Sequence, residues 1–184
     1  LFRSVENMIV SSADLSNSDK TDGFIKGGAR NLVKGDFSGK FLQAGVAELT
    51  MAAICNGIAL HGGIHVACAT FFVFSDYMKP AFRLSALMQM PVKYIWTHDA
   101  FRVGEDGPTH QPIEHEAQLR LLEKMQNHAG KMSMLALRPA DAAETSVAWK
   151  MAMENTETPT ALVLSRQNIN DLPAATDRYT EALK

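Results

Sequence analysis

Residues 66–74 form the run Val-Ala-Cys-Ala-Thr-Phe-Phe-Val-Phe, in which no side chain carries a charge. A continuous apolar run of strand length is typical of a strand that is buried on both faces of a parallel sheet. The run is too short to cross a bilayer as a helix, which takes about 20 residues. It therefore predicts a central strand of an α/β domain.

Helical and strand patterns alternate on both sides of this run. Further strands are predicted at 8–12, 92–97, 133–137 and 161–164, and helices at 46–61, 76–90, 113–127 and 139–153. The alternation predicts a three-layer α/β/α fold with a mainly parallel sheet. Helix 46–61 is apolar almost all round and is predicted to be buried. Helix 113–127 is amphipathic, and the apolar side chains of its predicted buried face are Ala117, Leu121, Leu122 and Met125.

Composition excludes several classes of protein. The chain has 184 residues, is 46% hydrophobic and carries a formal charge of −2, which argues against a strongly basic nucleic-acid binder. No signal peptide or membrane segment is evident, so we expect no membrane partner. Cys55 and Cys68 lie in apolar stretches and predict buried thiols in a reducing, cytoplasmic compartment. No Cys and His spacing indicates a metal site.

The limits of the chain suggest a piece of a longer protein. It begins with Leu1 rather than Met, and its last residues resemble the start of an unfinished segment. We expect one domain over residues 1–184, with a long polar loop at 15–40 and a tail at 169–184 that leads towards a further domain. A loop as long as 15–40 is often functional.

Ligands of parallel α/β sheets bind beyond the carboxyl ends of the strands, so the loops there are candidate sites. The loop from His98 to His110 holds two histidines, three carboxylates and one arginine. Histidine is suited to proton transfer near neutral pH, and the loop could bind a polyhydroxylated substrate. The alternative is a solvated surface loop without a role.

Three further features have two interpretations each. Glu48, near the start of an apolar helix, is either a buried carboxylate that needs a partner or a helix-start Glu favoured by the dipole. The aromatic strand end at 71–74 either stacks on a flat ring or packs in the core. Arg166 either binds a phosphate or pairs with a surface acid.

Taken together, these segments resemble the pyrimidine-binding domain of transketolase. The residues that carry the resemblance follow one another in the family's order over nearly the whole chain: 45–51, 56–63, 69–77, 97–99, 104–112, 137–141 and 165–168. The segment Gly-Glu-Asp-Gly-Pro-Thr-His at 104–110 is highly specific. A weaker form of the pattern is shared with deoxyxylulose-phosphate synthase, but Ser-Arg-Gln-Asn at 165–168 favours transketolase.

The resemblance implies thiamine diphosphate as the cofactor and assigns a role to each matching residue. Glu48 matches the glutamate that hydrogen-bonds the pyrimidine nitrogen N1′ and activates the cofactor. Aromatic residues that surround the aminopyrimidine are matched by Phe71, Phe74 and Tyr77, and an acid near the cofactor by Asp14. Groups that bind the sugar and assist proton transfer are matched by His98, Asp106 and His110, and phosphate binders by Ser18 and Arg166.

The chain also departs from the family pattern. Ala47 and Leu49 stand where the common form around Glu48 has Arg and His. The family's diphosphate and metal motif, Gly-Asp-Gly followed by Asn-Asn, does not occur, so Mg²⁺ or Ca²⁺ would be held by an absent partner domain. The resemblance therefore implies a fragment or subunit that is inactive alone and works as a homodimer or with a complementary diphosphate-binding subunit.

The implied reaction is two-carbon ketol transfer from a ketose phosphate to an aldose phosphate. The alternatives are a deoxyxylulose-forming or dihydroxyacetone-forming relative, and a non-catalytic α/β partner or regulatory module that kept the fold. For a dimeric enzyme we also expect helix 46–61 and the aromatic strand end to leave an apolar surface uncovered.

Overall fold

A computed structural model describes residues 5–184 of the chain. Its described part contains one six-stranded sheet in the order β2-β1-β3-β4-β6-β5. Every neighbouring pair of strands is parallel. The strands are β1 (Met8–Ser12), β2 (Phe41–Gln43), β3 (His65–Phe71), β4 (Lys93–Thr97), β5 (Leu135–Leu137) and β6 (Thr160–Val163). The predicted α/β class with a parallel sheet is confirmed, and β3 lies inside the sheet as the apolar run indicated.

Helices connect the strands. They are α1 (Asp22–Lys26), α2 (Glu48–His61), α3 (Ser75–Leu87), α4 (His115–Lys124), α5 (Ala142–Glu154) and α6 (Arg178–Ala182), with 3₁₀ turns at Phe72–Phe74, Gly104–Asp106 and Pro108–His110. The buried residues form two apolar clusters. One cluster joins the sheet to α2, α3 and α4, and the other joins it to α1 and α5. This gives the three layers predicted from the sequence.

One predicted strand and one predicted loop need correction. The apolar run does not stay extended to Phe74, because Phe72–Phe74 turns into a 3₁₀ helix that leads directly into α3. Apolar content alone does not distinguish these two conformations. The loop predicted at 15–40 contains α1, whose Phe24 is buried in the core, and strand β2 follows at its end. Strand β2 has only three residues, too few for a detectable pattern.

Two helix predictions also need correction. Helix α2 is not buried all round, because Leu49, Ile54 and Leu60 are exposed while Met51, Ala52 and Cys55 are buried in the core. The exposed side of α2 agrees with the expected uncovered apolar surface, whereas Phe71 and Phe72 of the aromatic strand end are buried. Helix α4 is shorter than 113–127, and its predicted buried face is only partly right: Leu122 packs against the core, but Leu121 is 62% exposed and Leu119 is buried instead. Its orientation is decided by neighbouring elements, which the spacing of apolar residues did not reveal.

The core also contains polar side chains that hydrogen-bond with one another and two buried thiols. The Ser85 and Tyr94 hydroxyl oxygens are 2.5 Å apart, and Ser85 also donates to Asn56 Oδ1. Cys55 and Cys68 are both buried and free, and burial raises the pKa of the Cys68 thiol well above its usual value. Between residues 5 and 184, no helix is long and apolar enough to span a bilayer.

Candidate active site

The candidate site lies at the carboxyl edge of the sheet, where β1, β3, β4 and β6 end. Since all strands are parallel, the loops that follow them meet at this edge. They enclose an open cavity of about 340 Å³. The predicted site residues that line it are Ser18, Phe71, His98, Asp106 and Arg166. Residues from four separate segments of the sequence therefore share one cavity.

His98 occupies the centre of this arrangement. It follows β4 directly with a positive φ of 61°, and its side chain is buried. The imidazole ring stacks on Phe71 with the ring centres 3.6 Å apart. Its Nδ1 lies 2.9 Å from the Thr97 hydroxyl, and its Nε2 lies 3.9 Å from a carboxylate oxygen of Asp106. Thr97 thus engages one ring nitrogen and leaves the other to face the cavity.

Burial sets the protonation state of His98. It lowers the pKa of the imidazole from 6.5 to about 4, since a charged ring is disfavoured away from water. The positive charge of Arg166 lowers this pKa further, whereas the Asp106 carboxylate raises it. His98 is therefore neutral near pH 7. Because Thr97 engages Nδ1, the neutral ring has one nitrogen, Nε2, with which to hydrogen-bond a sugar hydroxyl.

Aromatic side chains line the neighbouring part of the edge. Phe71 and Phe74 stack with ring centres 5.7 Å apart, and Phe74 stacks on Tyr77 at 5.9 Å. Phe71 is buried, Phe74 is half-buried and Tyr77 is 64% exposed. The half-buried His110 ring meets the Phe74 ring edge-on at 5.3 Å. The series of rings runs from the buried His98 side out to the surface.

Arg166 is held by two acids in the cavity wall. Its Nε lies 2.9 Å from Asp106 Oδ2, and its Nη2 lies 2.5 Å from Glu105 Oε1. Both interpretations of Arg166 are therefore compatible with the geometry: the guanidinium pairs with acids and also lines the cavity. An incoming phosphate would compete with Glu105, whose side chain is 66% exposed.

Ser18 is positioned by a buried anchor that the sequence did not single out. The carboxylate of Asp19, next to Ser18, accepts hydrogen bonds from the Ser12 hydroxyl at 2.6 Å and from the Thr21 hydroxyl at 2.6 Å. Burial raises the pKa of Asp19 despite these bonds. The anchor ties the loop after β1 to the sheet edge and so fixes Ser18 in the cavity wall.

Glu48 and Asp14 lie at the same edge but outside the cavity lining. Glu48 is the first residue of α2, five residues after the end of β2, and is only 8% exposed. Among residues 5–184 its carboxylate has no hydrogen-bond or ion-pair partner in the chain. Asp14 is exposed, has a φ of 64° and follows β1. Both interpretations of Glu48 fit this position, because its side chain is largely buried without a partner and it also stands at the start of α2.

Several lining residues were missed. Asn17, Lys20, Gln167 and Asn168 also face the cavity. Gln167 donates from its amide to the Arg102 carbonyl at 2.6 Å and so ties the loop after β6 to the loop after β4. Their closeness in sequence to predicted site residues could have indicated them, because each missed residue lies within two positions of Ser18 or Arg166.

A salt bridge between Asp99 and Arg138 stabilises the loop that follows β4 and begins at His98. The carboxylate of Asp99 accepts from Arg138 Nε at 3.2 Å and Nη2 at 3.0 Å, and Arg138 also pairs with Glu116 at 2.7 Å. The Asp99 side chain is 7% exposed, which makes this contact more than a solvated surface pair. It connects the loop after β4 to the residue that follows β5.

Comparison with known proteins identifies relatives of this architecture. A family model described as "Transketolase, pyrimidine binding domain" matches residues 1–171. The transketolase of Halalkalibacterium halodurans is 51% identical over 176 residues, which are 96% of this chain and 25% of that protein. The chain thus spans about a quarter of the length of the curated relatives it matches.

Solved structures show the same fold. A Pichia stipitis transketolase, described as a complex with sedoheptulose-7-phosphate, superposes with a TM-score of 0.83 and 39% identity, covering 98% of this chain and 25% of that one. A structure described as a split gene transketolase, an inactive beta4 tetramer, gives a TM-score of 0.66 and 29% identity, covering 91% of this chain and 48% of that one.

Proposed function

The chain belongs to the transketolase pyrimidine-binding domain family, and on that premise we propose that it supplies the aminopyrimidine-binding half of a thiamine diphosphate site. The complete enzyme would transfer a two-carbon ketol unit from a ketose phosphate to an aldose phosphate. The observation that carries the proposal is the buried, neutral His98 stacked on Phe71 in a cavity that also holds Ser18 and Arg166.

The residues at the sheet edge fit the aminopyrimidine of the cofactor. A nearly buried carboxylate without a partner in the described chain is costly unless a ligand satisfies it, and Glu48 is such a group. Its partner would be the ring nitrogen N1′, while Phe74 and Tyr77 offer aromatic faces to the ring. When bound, thiamine diphosphate supplies carbanion stabilisation, which protein side chains do not provide.

The chain's own residues would then bind and orient the sugar phosphate. Arg166 and Ser18 would hold the phosphate, with Arg166 leaving the exposed Glu105. His98 would form one hydrogen bond with a sugar hydroxyl through Nε2 and stay neutral as it does so. His110, next to Phe74, would hold or move a proton at a neighbouring hydroxyl.

The assembly of the full site requires a second unit. The family's diphosphate and metal motif is absent from this sequence, so Mg²⁺ or Ca²⁺ would be bound by another domain or subunit. A homodimer of a longer chain and a pair of complementary subunits both meet this need. The retained Glu48, His98 and His110 support a catalytic role over a non-catalytic partner role, and the isolated chain is expected to be inactive.

A domain exchange tests the proposal. The chain would replace the matching quarter of the Halalkalibacterium halodurans transketolase, and cofactor-dependent ketol transfer would be measured. We expect an active chimera. Without transfer in a folded chimera that binds the cofactor, the proposed function is wrong.

Glu48→Gln in this chimera tests the role of the carboxylate. Gln keeps the size of Glu but cannot share a proton with N1′, so exchange of the thiazolium proton should fall on the order of 10²–10⁴-fold while cofactor affinity changes less. Glu154→Gln, at an exposed position of α5, is the matched control. His98→Ala should leave proton exchange intact and lower sugar turnover. Unchanged exchange in Glu48→Gln would favour the helix-start interpretation of this residue.

A further inference from the structure

A second cluster of titratable side chains lies where α3 and α4 begin. Asp76 is in the first turn of α3, Glu114 precedes α4 and His115 is its first residue. One ligand atom from each of the three residues lies within 4.8 Å of the others. The His115 side chain is only 4% exposed, whereas Asp76 and Glu114 are 46% and 62% exposed. None of the three residues lines the cavity that holds His98.

His115 is surrounded by more hydrogen-bond acceptors than a neutral imidazole can donate to. Its Nε2 lies 3.1 Å from both the Val73 carbonyl oxygen and Asp76 Oδ2. Its Nδ1 lies 3.8 Å from Glu114 Oε2 and, although buried, has no hydrogen-bond partner in the chain. Three acceptor oxygens thus surround one imidazole, and a neutral imidazole has a single N–H donor. The neutral form of the ring therefore cannot donate to all three oxygens.

The charges of the cluster do not balance either. Across residues 5–184, neither Asp76 nor Glu114 has a Lys or Arg ion-pair partner, and His115 is the basic group that each carboxylate contacts. Two carboxylates therefore share a single imidazole as their basic partner. A cation at this position would be shared by the two carboxylates and would take one imidazole nitrogen as a third ligand.

We propose that Asp76, Glu114 and His115 form a binding site for a divalent transition-metal ion of the zinc type. One imidazole nitrogen and two carboxylate oxygens are a donor set that zinc accepts, with a fourth position left for water. The ligand atoms have to approach one another by about 1 Å to reach bonding distances of roughly 2.0–2.2 Å from one ion. Asp76 and Glu114 are free to make that movement because their side chains are exposed, while the buried His115 is already fixed.

Such an ion would tie the start of α4 to the start of α3. His115 contacts the Val73 carbonyl, and Val73 lies between the two aromatic residues Phe72 and Phe74. The three ligands belong to two elements that start far apart in the sequence. An ion that binds only the folded chain also stabilises it by mass action.

The test is titration of the metal-free chain with ZnCl₂ near neutral pH, followed by calorimetry and by thermal unfolding. We expect one ion per chain and a rise in melting temperature. His115→Gln should weaken zinc binding about 100-fold or more, since the loss of even an outer-shell partner of a metal site costs about 10–100-fold. His61→Gln, at the exposed end of α2, should bind zinc like the wild type.

The double variant Asp76→Asn/Glu114→Gln covers the case in which His115→Gln does not fold, because both of its positions are exposed. It should lose zinc binding and keep the melting temperature of the metal-free chain. The proposal is overturned if the wild type binds no zinc, or if the double variant and His61→Gln bind it equally well.

Discussion

Acidification should weaken the fold through His98, by an amount that the structure allows us to work out. Burial lowers the pKa of this imidazole from 6.5 to about 4. One pKa unit corresponds to about 1.4 kcal/mol, so the shift amounts to about 3 kcal/mol of folding free energy. Between these two pKa values the unfolded chain binds more protons than the folded chain. The contribution is therefore fully present above pH 6.5 and is lost as the pH falls towards 4.

Urea unfolding at a series of pH values measures this loss. His98→Asn is the comparison, because Asn tolerates the positive φ of 61° at this position and does not titrate. Contributions from Asp19, Asp36 and the other carboxyl groups that lie away from His98 are common to both chains and cancel in the difference. We expect the difference in unfolding free energy between the two chains to change by about 3 kcal/mol over this pH range. His128→Asn, at an exposed position, is the control and should follow the wild type.

NMR titration of the His98 ring is the direct measurement. Asp106→Asn should lower its pKa further, because the Asp106 carboxylate raises this pKa in the wild type. A ring that titrates at 6.5 or above would refute the reasoning, and so would unfolding curves of wild type and His98→Asn that stay parallel throughout. Either result would mean that water reaches His98 and that burial does not control its charge.

Two further predictions concern the core. Tyr94→Phe removes the hydroxyl that hydrogen-bonds with Ser85 and Asn56, and it should lower the free energy of unfolding by about 1–3 kcal/mol. If urea unfolding shows the variant to be as stable as the wild type, these buried hydrogen bonds do not contribute to stability. Lys93→Met should raise the free energy of unfolding near neutral pH by about 1–3 kcal/mol. The reason is that burial lowers the pKa of Lys93 from 10.5 to about 8, and between residues 5 and 184 no carboxylate pairs with its ammonium group. This gain should shrink between pH 8 and 10.5, where the folded wild type loses the proton; a less stable Lys93→Met at neutral pH would contradict the argument.

The sequence predicted the elements with strong local patterns and missed the weak ones. The run at 66–74 and the alternation of helices and strands were sufficient for the α/β class, because buried parallel strands need continuous apolar residues. Strand β2 escaped detection since three residues carry too little pattern, and its Phe41 is buried by pairing with β1. The buried face of α4 was assigned only in part. The helix has apolar residues on more of its surface than the core covers, so their spacing did not distinguish the buried Leu119 from the exposed Leu121.

For the candidate site, the sequence supplied the residues but not their arrangement. The order of polar loops after predicted strands placed Ser18, His98 and Arg166 at one edge of the sheet, and the resemblance to transketolase suggested their roles. The support residues were not visible. Asp19, Arg138 and Gln167 act through contacts with residues that no motif connects to them.

What the sequence determined by itself is the alternation of helix and strand, and with it the edge of the sheet where ligands bind. These features follow from local hydrophobicity and chain direction. Only the tertiary structure decided that His98 is stacked on Phe71 and held neutral, and that Asp76 meets His115 across two helix ends. Burial and charge at a side chain depend on neighbours that folding brings from distant segments, and no local pattern encodes that proximity.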